Sequence, residues 1–415
     1  MTRNMQFVTW LFVVIAFTLL PAVVESATSK TELTIGYYAM PGTHDTMESL
    51  VNRFRELHPE LRVQTVWADY GMFYQKLLPQ IAAGKGPDVW LSDGVRVAEA
   101  AEGGFALDIT DWVNRDLDPR EVLALQANRD PSGRIWGVPQ GLQITMLFYN
   151  IDLFNSAGVV YPDSSWTLDT FRRAAIKLTR DTNGDGNIDV YGTQMPIYIT
   201  ETWFPIIKLF GGEVLDPTLR HARLTNPNTV KALRWMYDLI FKDRAATREY
   251  MYLASWKVAM EFAIYNKLLN IKRAKLNYGI EMLPQGPAGR WTSLVANSWV
   301  INKAAPRERQ QAAWEWIKFF SGPEAQLTWG RLGEAFPANR LAVEKMVAED
   351  PRLRAVLMSI PFAGTMDQNA VWTEWYVAVE KRLQEVWAQK AELEPTILLI
   401  NQEVQAILDR AYRRN

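Results

Sequence analysis

The stretch TELTIGYYAMPGTHDTMESLVNRFRELHPELRVQTVWA, residues 31–68, decides the fold. Its start alternates β-branched and aromatic residues with smaller ones, which predicts a strand ending near Pro41. Asp45 then stands as a helix cap with Glu48 three places on, and Met47, Leu50, Val51, Phe54 and Leu57 fall on one face before Pro59 stops the helix. LRVQTVWA is a second strand. Beyond it, MFYQKLLPQIAAGKG (72–86) predicts an amphipathic helix with a Gly-rich stop, and PDVWLSD (87–93) a buried strand. The order β-α-β-α-β implies a parallel sheet covered on both faces. Ligands of such sheets bind beyond the carboxyl ends of the strands, so residues 37–45 and 92–94 are the first candidates.

Working outward, RIWGVPQGLQITMLFYN (134–150) predicts a short strand to Pro139 and an apolar strand over 144–149. Two helices follow within 151–179, the second capped by Thr167, and a strand is expected in VYGTQMPIY (190–198). Helices are expected in 202–216, stopping at Gly211, in 226–244 and in VAMEFAIYNKLLN (258–270). Strands are expected in LNYGIEMLPQGP (276–287) and SLVANSWVINKAA (293–305), then a strongly amphipathic helix over 307–326 and almost continuous helix to Asn415.

The 415 residues predict two or three domains at roughly 150 residues each. A net charge of -1 with no basic stripe argues against a nucleic-acid partner. Arg3 followed by FVTWLFVVIAFTLLP (7–21) and small residues around Ser26 and Ala27 reads as a cleavable export signal, residues 1–27. The apolar run falls short of the ~20 residues of a membrane-spanning helix. With no cysteine anywhere, attachment of a lipid at a cysteine is excluded, and a soluble periplasmic protein is expected.

Five stretches occur in an order that resembles one family: AAGKGPDVWLSD, GVPQGLQITMLFYNIDLFNSAGVVYPDSSWTLDTFRRAAIKLT, FGGEVLD, ANSWVINKAAPRERQQAAWEWIKFFSGPEAQ and GEAFPANR. They are similar to the extracellular solute-binding proteins of sugar ABC transporters, the group containing maltose-binding protein. The resemblance implies an α/β, two-lobe periplasmic-binding-protein fold of type II, with the ligand cleft between lobes joined by hinge crossings. It places one lobe over 28–138 plus 297–337 and the other over 143–294 plus 340–415, with crossings near 139–142, 294–296 and 337–340. It implies no chemistry on the ligand, no organic cofactor, and delivery of a mono- or oligosaccharide to membrane permease subunits by a monomer.

A sugar site needs rings to stack on and planar polar groups that hydrogen-bond in pairs. Candidates after the first strand are Tyr38, Thr43 and Asp45, the last equally a helix cap, and at the end of the third Asp93, read as a ligand acceptor with a cap of the next helix as its alternative. The resemblance adds Gln140 at the first crossing, Asn297, Ser298 and Trp299 at the second, where a Trp replaces the family's small residue, and Phe336 in GEAFPAN. Trp203 reads as a stacking ring of the second lobe or as helix core; the resemblance adds Trp372, Trp375 and Tyr376 in VWTEWYVAVEKRL as an aromatic helix start lining the site, whereas Trp314, Trp316 and Trp387 read as core. Three histidines without a metal or triad spacing, and no nucleophile elbow or phosphate loop, offer no catalytic motif. Two further classes stay open: an exported glycoside hydrolase using two carboxylates, and a binding protein for a polyamine or ferric ion.

DTNGDGNIDVYG (181–192) follows most of a calcium loop. Asp181, Asn183 and Asp185 fill positions one, three and five, Gly186 six, Asn187 seven and Asp189 nine. Gly192 stands where the bidentate glutamate belongs. The expectation is a weak structural calcium ion outside the cleft, against the alternative of an Asx-rich turn.

Overall fold

The computed structural model describes residues 30–39 and 42–412. The expected export signal lies outside them. Ten strands are described: β1 (Thr31–Tyr38), β2 (Leu61–Ala68), β3 (Val89–Ser92), β4 (Val138–Asn150), β5 (Thr193–Gln194), β6 (Ala246–Thr247), β7 (Met260–Ile264), β8 (Tyr278–Glu281), β9 (Thr292–Ile301) and β10 (Ala363–Gly364). The main sheet runs β2-β1-β3-β9-β4-β7, with β10 beside β9 and β8 beside β4. β1 is parallel to β2 and β3, as the opening pattern requires, while β9 lies antiparallel to both β3 and β4.

β4 and β9 are the long members, and every residue of β4 is buried. β4 pairs with β9 from Val138↔Trp299 to Ile144↔Leu294, then with β7 and β8 from Thr145 to Asn150. The two strands expected around Pro139 are therefore one. Proline has no N–H for the ladder, and the chain accommodates it with a bulge between Pro139 and Gly141 instead of a break. A Cβ on Gly141 would sit 2.6 Å from that of Ala335, so this position admits no side chain.

Three large apolar cores surround these strands. Leu33, Ile35, Phe54, Trp299, Trp316 and Phe320 belong to the first, Phe171, Trp203, Leu239, Trp375 and Leu383 to the second, and Ile144, Phe148, Tyr265 and Phe336 to the third. Trp314, Trp316 and Trp387 are buried as expected. Two expectations are corrected. Residues 258–264 contain the buried strand β7, not the start of a helix, and the helix covers Lys267–Arg273. In 190–198 the described strand is only the two-residue β5, paired with β6, with isolated bridges at Val190 and Tyr191. Thr167 caps helix Leu168–Leu178 through the Thr170 N–H, as predicted. The first helix begins at His44, so Asp45 lies in its first turn and makes no capping box; Glu48 accepts from the Tyr37 hydroxyl instead.

The 181–189 loop is tied by its own backbone. Asp181 accepts from the Gly184 and Gly186 N–H groups at 2.7 Å each, and Asp189 accepts from Thr182 at 2.8 Å. Gly186 takes φ 87°, the left-handed bend the sixth position demands. At Gly192 a Cβ would meet the Ala175 carbonyl oxygen at 1.9 Å. Packing of the chain on helix Leu168–Leu178 thus forbids any side chain at the twelfth position. Gly192→Glu, which would complete the calcium motif on paper, is expected to cost at least about 2 kcal/mol by displacing backbone. Urea unfolding monitored by circular dichroism checks this, with or without calcium.

Candidate functional site

The carboxyl ends of β1 and β3 carry a knot of rings and charges. Tyr38, the last residue of β1, meets Tyr70 edge-on at 5.2 Å and also touches Phe73 and Tyr74. Asp93 follows β3. One of its oxygens caps the turn at Val95 and the other accepts from the Tyr70 hydroxyl at 2.8 Å. Its N–H donates to the Tyr74 hydroxyl, and Arg96 lies over the Tyr74 ring at 4.6 Å. Asp93 is thus both cap and wall. Burial pushes its carboxyl up despite Tyr70, Val95 and Arg96, which lower it. Gly94 packs so closely on β9 that a Cβ would lie 2.6 Å from the Ala296 oxygen, and its N–H donates to Asn297.

The facing wall comes from a π-helical turn, Ile199–Trp203, and from helix Trp372–Trp387. The wide turn buries Glu201 while Tyr198, just before it, stays 42 % exposed. Glu380 holds the turn in place, accepting from the Ile199 N–H at 2.8 Å and the Trp203 indole at 3.2 Å. Tyr376 stands one helical turn before Glu380 on the same face. The two walls sense each other. Asp93 acts electrostatically on both Tyr198 and Tyr376, and Arg96 on Tyr376. Burial, then Glu201, pushes the Tyr198 hydroxyl up to about 12.

Behind Tyr198 lies a pair of buried carboxylates. Glu261 accepts from Gln194 at 2.6 Å and Glu201 accepts from the Ile264 N–H at 3.3 Å. Burial pushes Glu201 up to about 7, opposed by Lys267. Burial and then the charge of Glu201 push Glu261 to about 8. Lys267 rests over Tyr250 at 5.1 Å.

Several sequence candidates lie elsewhere. Trp299 is fully buried, edge-on to Trp316 at 5.2 Å and to Phe320 at 5.3 Å. Trp203, Trp372 and Trp375 are buried in the second core, so it is Tyr376 that the aromatic helix start presents to the wall. Phe336 is buried edge-on to Tyr265, pairing its backbone with Leu142. For Trp203 and Trp299, read as ligand rings or core, burial favours the core, and Trp372, Trp375 and Phe336, expected to line the cleft, are buried in apolar clusters as well. Ser298 is buried between Asn128 and the Ala296 carbonyl, and Thr43 is buried at the N-terminal cap of the first helix. Asp45 is exposed beside Glu48, Asn52 and Glu56 on the outer face of that helix. Gln140 is buried at the bulge; its carbonyl accepts from Gln326, and its amide nitrogen meets no partner among the described residues. The structure brings Tyr38, Asp93 and Asn297 together and adds Tyr70, Tyr74, Arg96, Tyr198, Tyr376 and Glu380. Of the added residues, Tyr376 stands in the aromatic helix start VWTEWYVAVEKRL, and Arg96, three places after Asp93, had a local signal, since three residues return to one side of a helical turn.

Among the described residues, no three His, Cys, Asp or Glu side chains stand close enough to hold a metal ion, and no helix is long and apolar enough to cross a membrane. Asp181, Asn183, Asp185, Asn187 and Asp189 are exposed or half-buried, with the carboxylates turned to backbone and Thr182 donors.

The model of the bacterial extracellular solute-binding protein family matches residues 41–327. A maltotriose-binding protein of Pyrococcus abyssi is 20 % identical over 397 residues, covering 92 % of this chain and 83 % of the relative. The sugar-binding protein MalE from Xanthomonas citri superposes with a TM-score of 0.80 at 20 % identity, covering 92 % of this chain and 98 % of that one. UgpB from Mycobacterium tuberculosis in complex with glycerophosphocholine gives 0.79 at 22 %, covering 91 % and 99 %. These likenesses show the fold.

The Glu201–Glu261 pair makes stability depend on pH. The folded protein keeps a proton on Glu201 up to about 7, whereas an unfolded glutamate releases it near the ordinary value of 4.5. Stability from this group is therefore full below the unfolded value and is lost as pH rises toward 7, a loss on the order of 3 kcal/mol. Glu201→Gln is expected to flatten that fall. Melting temperatures of both proteins between pH 4.5 and 8 test it, and parallel profiles would reject the assignment.

Proposed function

We propose that this chain, which belongs to the bacterial extracellular solute-binding protein family, captures a carbohydrate between the two walls and delivers it to the permease of an ABC importer. The observation that carries the reading is the facing of Tyr38, Tyr70 and Asp93 by Tyr198, Tyr376 and Glu380. Phenol rings offer flat faces to the apolar side of a pyranose. Their hydroxyls, Asp93, Arg96, Glu380 and Asn297 offer donors and acceptors to its hydroxyls. The maltotriose named for the Pyrococcus relative and the sugar named for the Xanthomonas neighbour support the same ligand class.

The lobes in this reading are 28–138 with 297–337 and 143–294 with 340–415. The protein is exported by its first 27 residues, works as a periplasmic monomer, and alters no bond of its ligand. Sugar binds one wall first, and contact with the other then favours the closed form. Only the difference in affinity between the two forms moves that equilibrium. Calorimetry with mono- and oligosaccharides, paired with small-angle scattering, is expected to give binding with compaction. Failure of every sugar to bind would reject the reading, and released hydrolysis products would establish a glycoside hydrolase instead.

The same reading includes a calcium ion on the 181–189 loop, away from the walls. Support comes from the alternating acidic and amide residues and the bend at Gly186. Asp181, Asp185 and Asp189 would have to turn inward from their present donors. A rise of several degrees in melting temperature in millimolar calcium, reversed by chelator, is the expected result; an unchanged curve leaves an Asx-rich turn.

A further inference from the structure

We infer that Trp67 and His44 form an outer saccharide subsite, so that the ligand is an oligosaccharide reaching from the Tyr70–Asp93 knot to the edge of the sheet. This rests on the carbohydrate reading above. Trp67 lies one residue from the carboxyl end of the edge strand β2, and 46 % of it is exposed. One face of its indole is stacked on His44, ring centroids 3.9 Å apart and planes 21° apart. This ring pair is the closest described in the chain, and it lies on the surface, where no core packing demands it.

The histidine is fixed from below. The buried Tyr37 hydroxyl lies 2.6 Å from a Glu48 carboxylate oxygen and 3.0 Å from His44 Nδ1. A phenol has one O–H, and it donates to the Glu48 carboxylate. His44 Nδ1–H must then donate to the Tyr37 oxygen, which leaves Nε2 as the acceptor in the neutral ring. The imidazole is thereby held in one orientation, and it holds the indole flat. A ring already immobilised loses little side-chain entropy when a ligand settles on it. Trp67 is the register partner of Tyr37 on β1. Three residues further along the chain stands Tyr70, whose hydroxyl donates to Asp93. Three residues span at most ~10 Å, so the platform and the knot are neighbouring stations on one rim.

The test is calorimetry with two series, glucose to maltotetraose and arabinose to arabinotetraose. The wild type is compared with Trp67→Ala, Trp67→Phe and His44→Ala. The wild type is expected to bind at least one series more tightly as length increases. Trp67→Ala should weaken the longest member about tenfold while leaving the shortest bound member unchanged. Trp67→Phe should recover most of that loss, and His44→Ala should show part of it. A loss equal at all lengths, no loss at all, or a wild type that gains nothing with length overturns the inference and leaves the carbohydrate reading standing. A wild type that binds no member of either series overturns the inference, and the carbohydrate reading falls with it only if every other sugar of the panel fails as well.

Discussion

The antiparallel ladder between β4 and β9 is the constraint on which the rest of the molecule depends. Its pairs run from Val138↔Trp299 to Ile144↔Leu294, through residues that belong to all three large cores. Buried backbone must be hydrogen-bonded, so neither strand can leave the ladder without stranding amides and carbonyls away from water. The bulge at Pro139 satisfies this rule at a residue that has no N–H. Both walls of the site are referred to this ladder. Gly94 rests directly on Ala296 and ties to Asn297, while Thr145 of β4 donates to the Thr200 carbonyl inside the π-turn. A shift of the ladder is therefore felt on both sides of the cleft.

Tryptophan and tyrosine divide the labour. Trp203, Trp299, Trp316, Trp372 and Trp375 are all fully buried, and the indole nitrogens of Trp299, Trp316 and Trp375 have no partner among the described residues. Tyr38, Tyr70, Tyr198 and Tyr376 retain exposure at the wall, where a hydroxyl can bond a carboxylate or a ligand. Volume decides the first set and the polar tip decides the second. Trp67 and Trp256 are exposed indoles, and Trp67 is stabilised by a histidine that is itself pinned to the core through Tyr37.

Much of the fold was legible because period and punctuation agree locally. The alternation in β1 and β2 and the Thr167 cap each needed only neighbouring residues, and the order of the five family stretches needed only the linear chain. The strand β7 was misread because a short apolar run such as MEFAI suits either element, and pairing with β4 decides it. The wall was half legible. Asp93 and Tyr38 follow from topology, since strand ends face the crevice. Tyr198, Tyr376 and Glu380 converge through contacts 177 and 181 residues apart in sequence, between Glu380 and the Ile199–Trp203 turn. The aromatic helix start was located correctly, but which of Trp372, Trp375 and Tyr376 points outward depends on a rotation that spacing alone leaves undetermined.

That π-turn also has a bearing on how such a cleft diversifies. A π-turn is an α-helix carrying one extra residue, and each residue rotates a helix by about 100°. Loss of a single codon within 199–203 would restore ordinary helical winding, move Glu201 about a quarter-turn around the axis and release the Ile199 amide from Glu380. Gain or loss of one residue here would exchange the polar lining of the wall in a single step, while the helix Phe204–Leu209 beyond it kept its place in the core. A gain or loss of one residue at this point would thus rotate the wall in a way that no single substitution can.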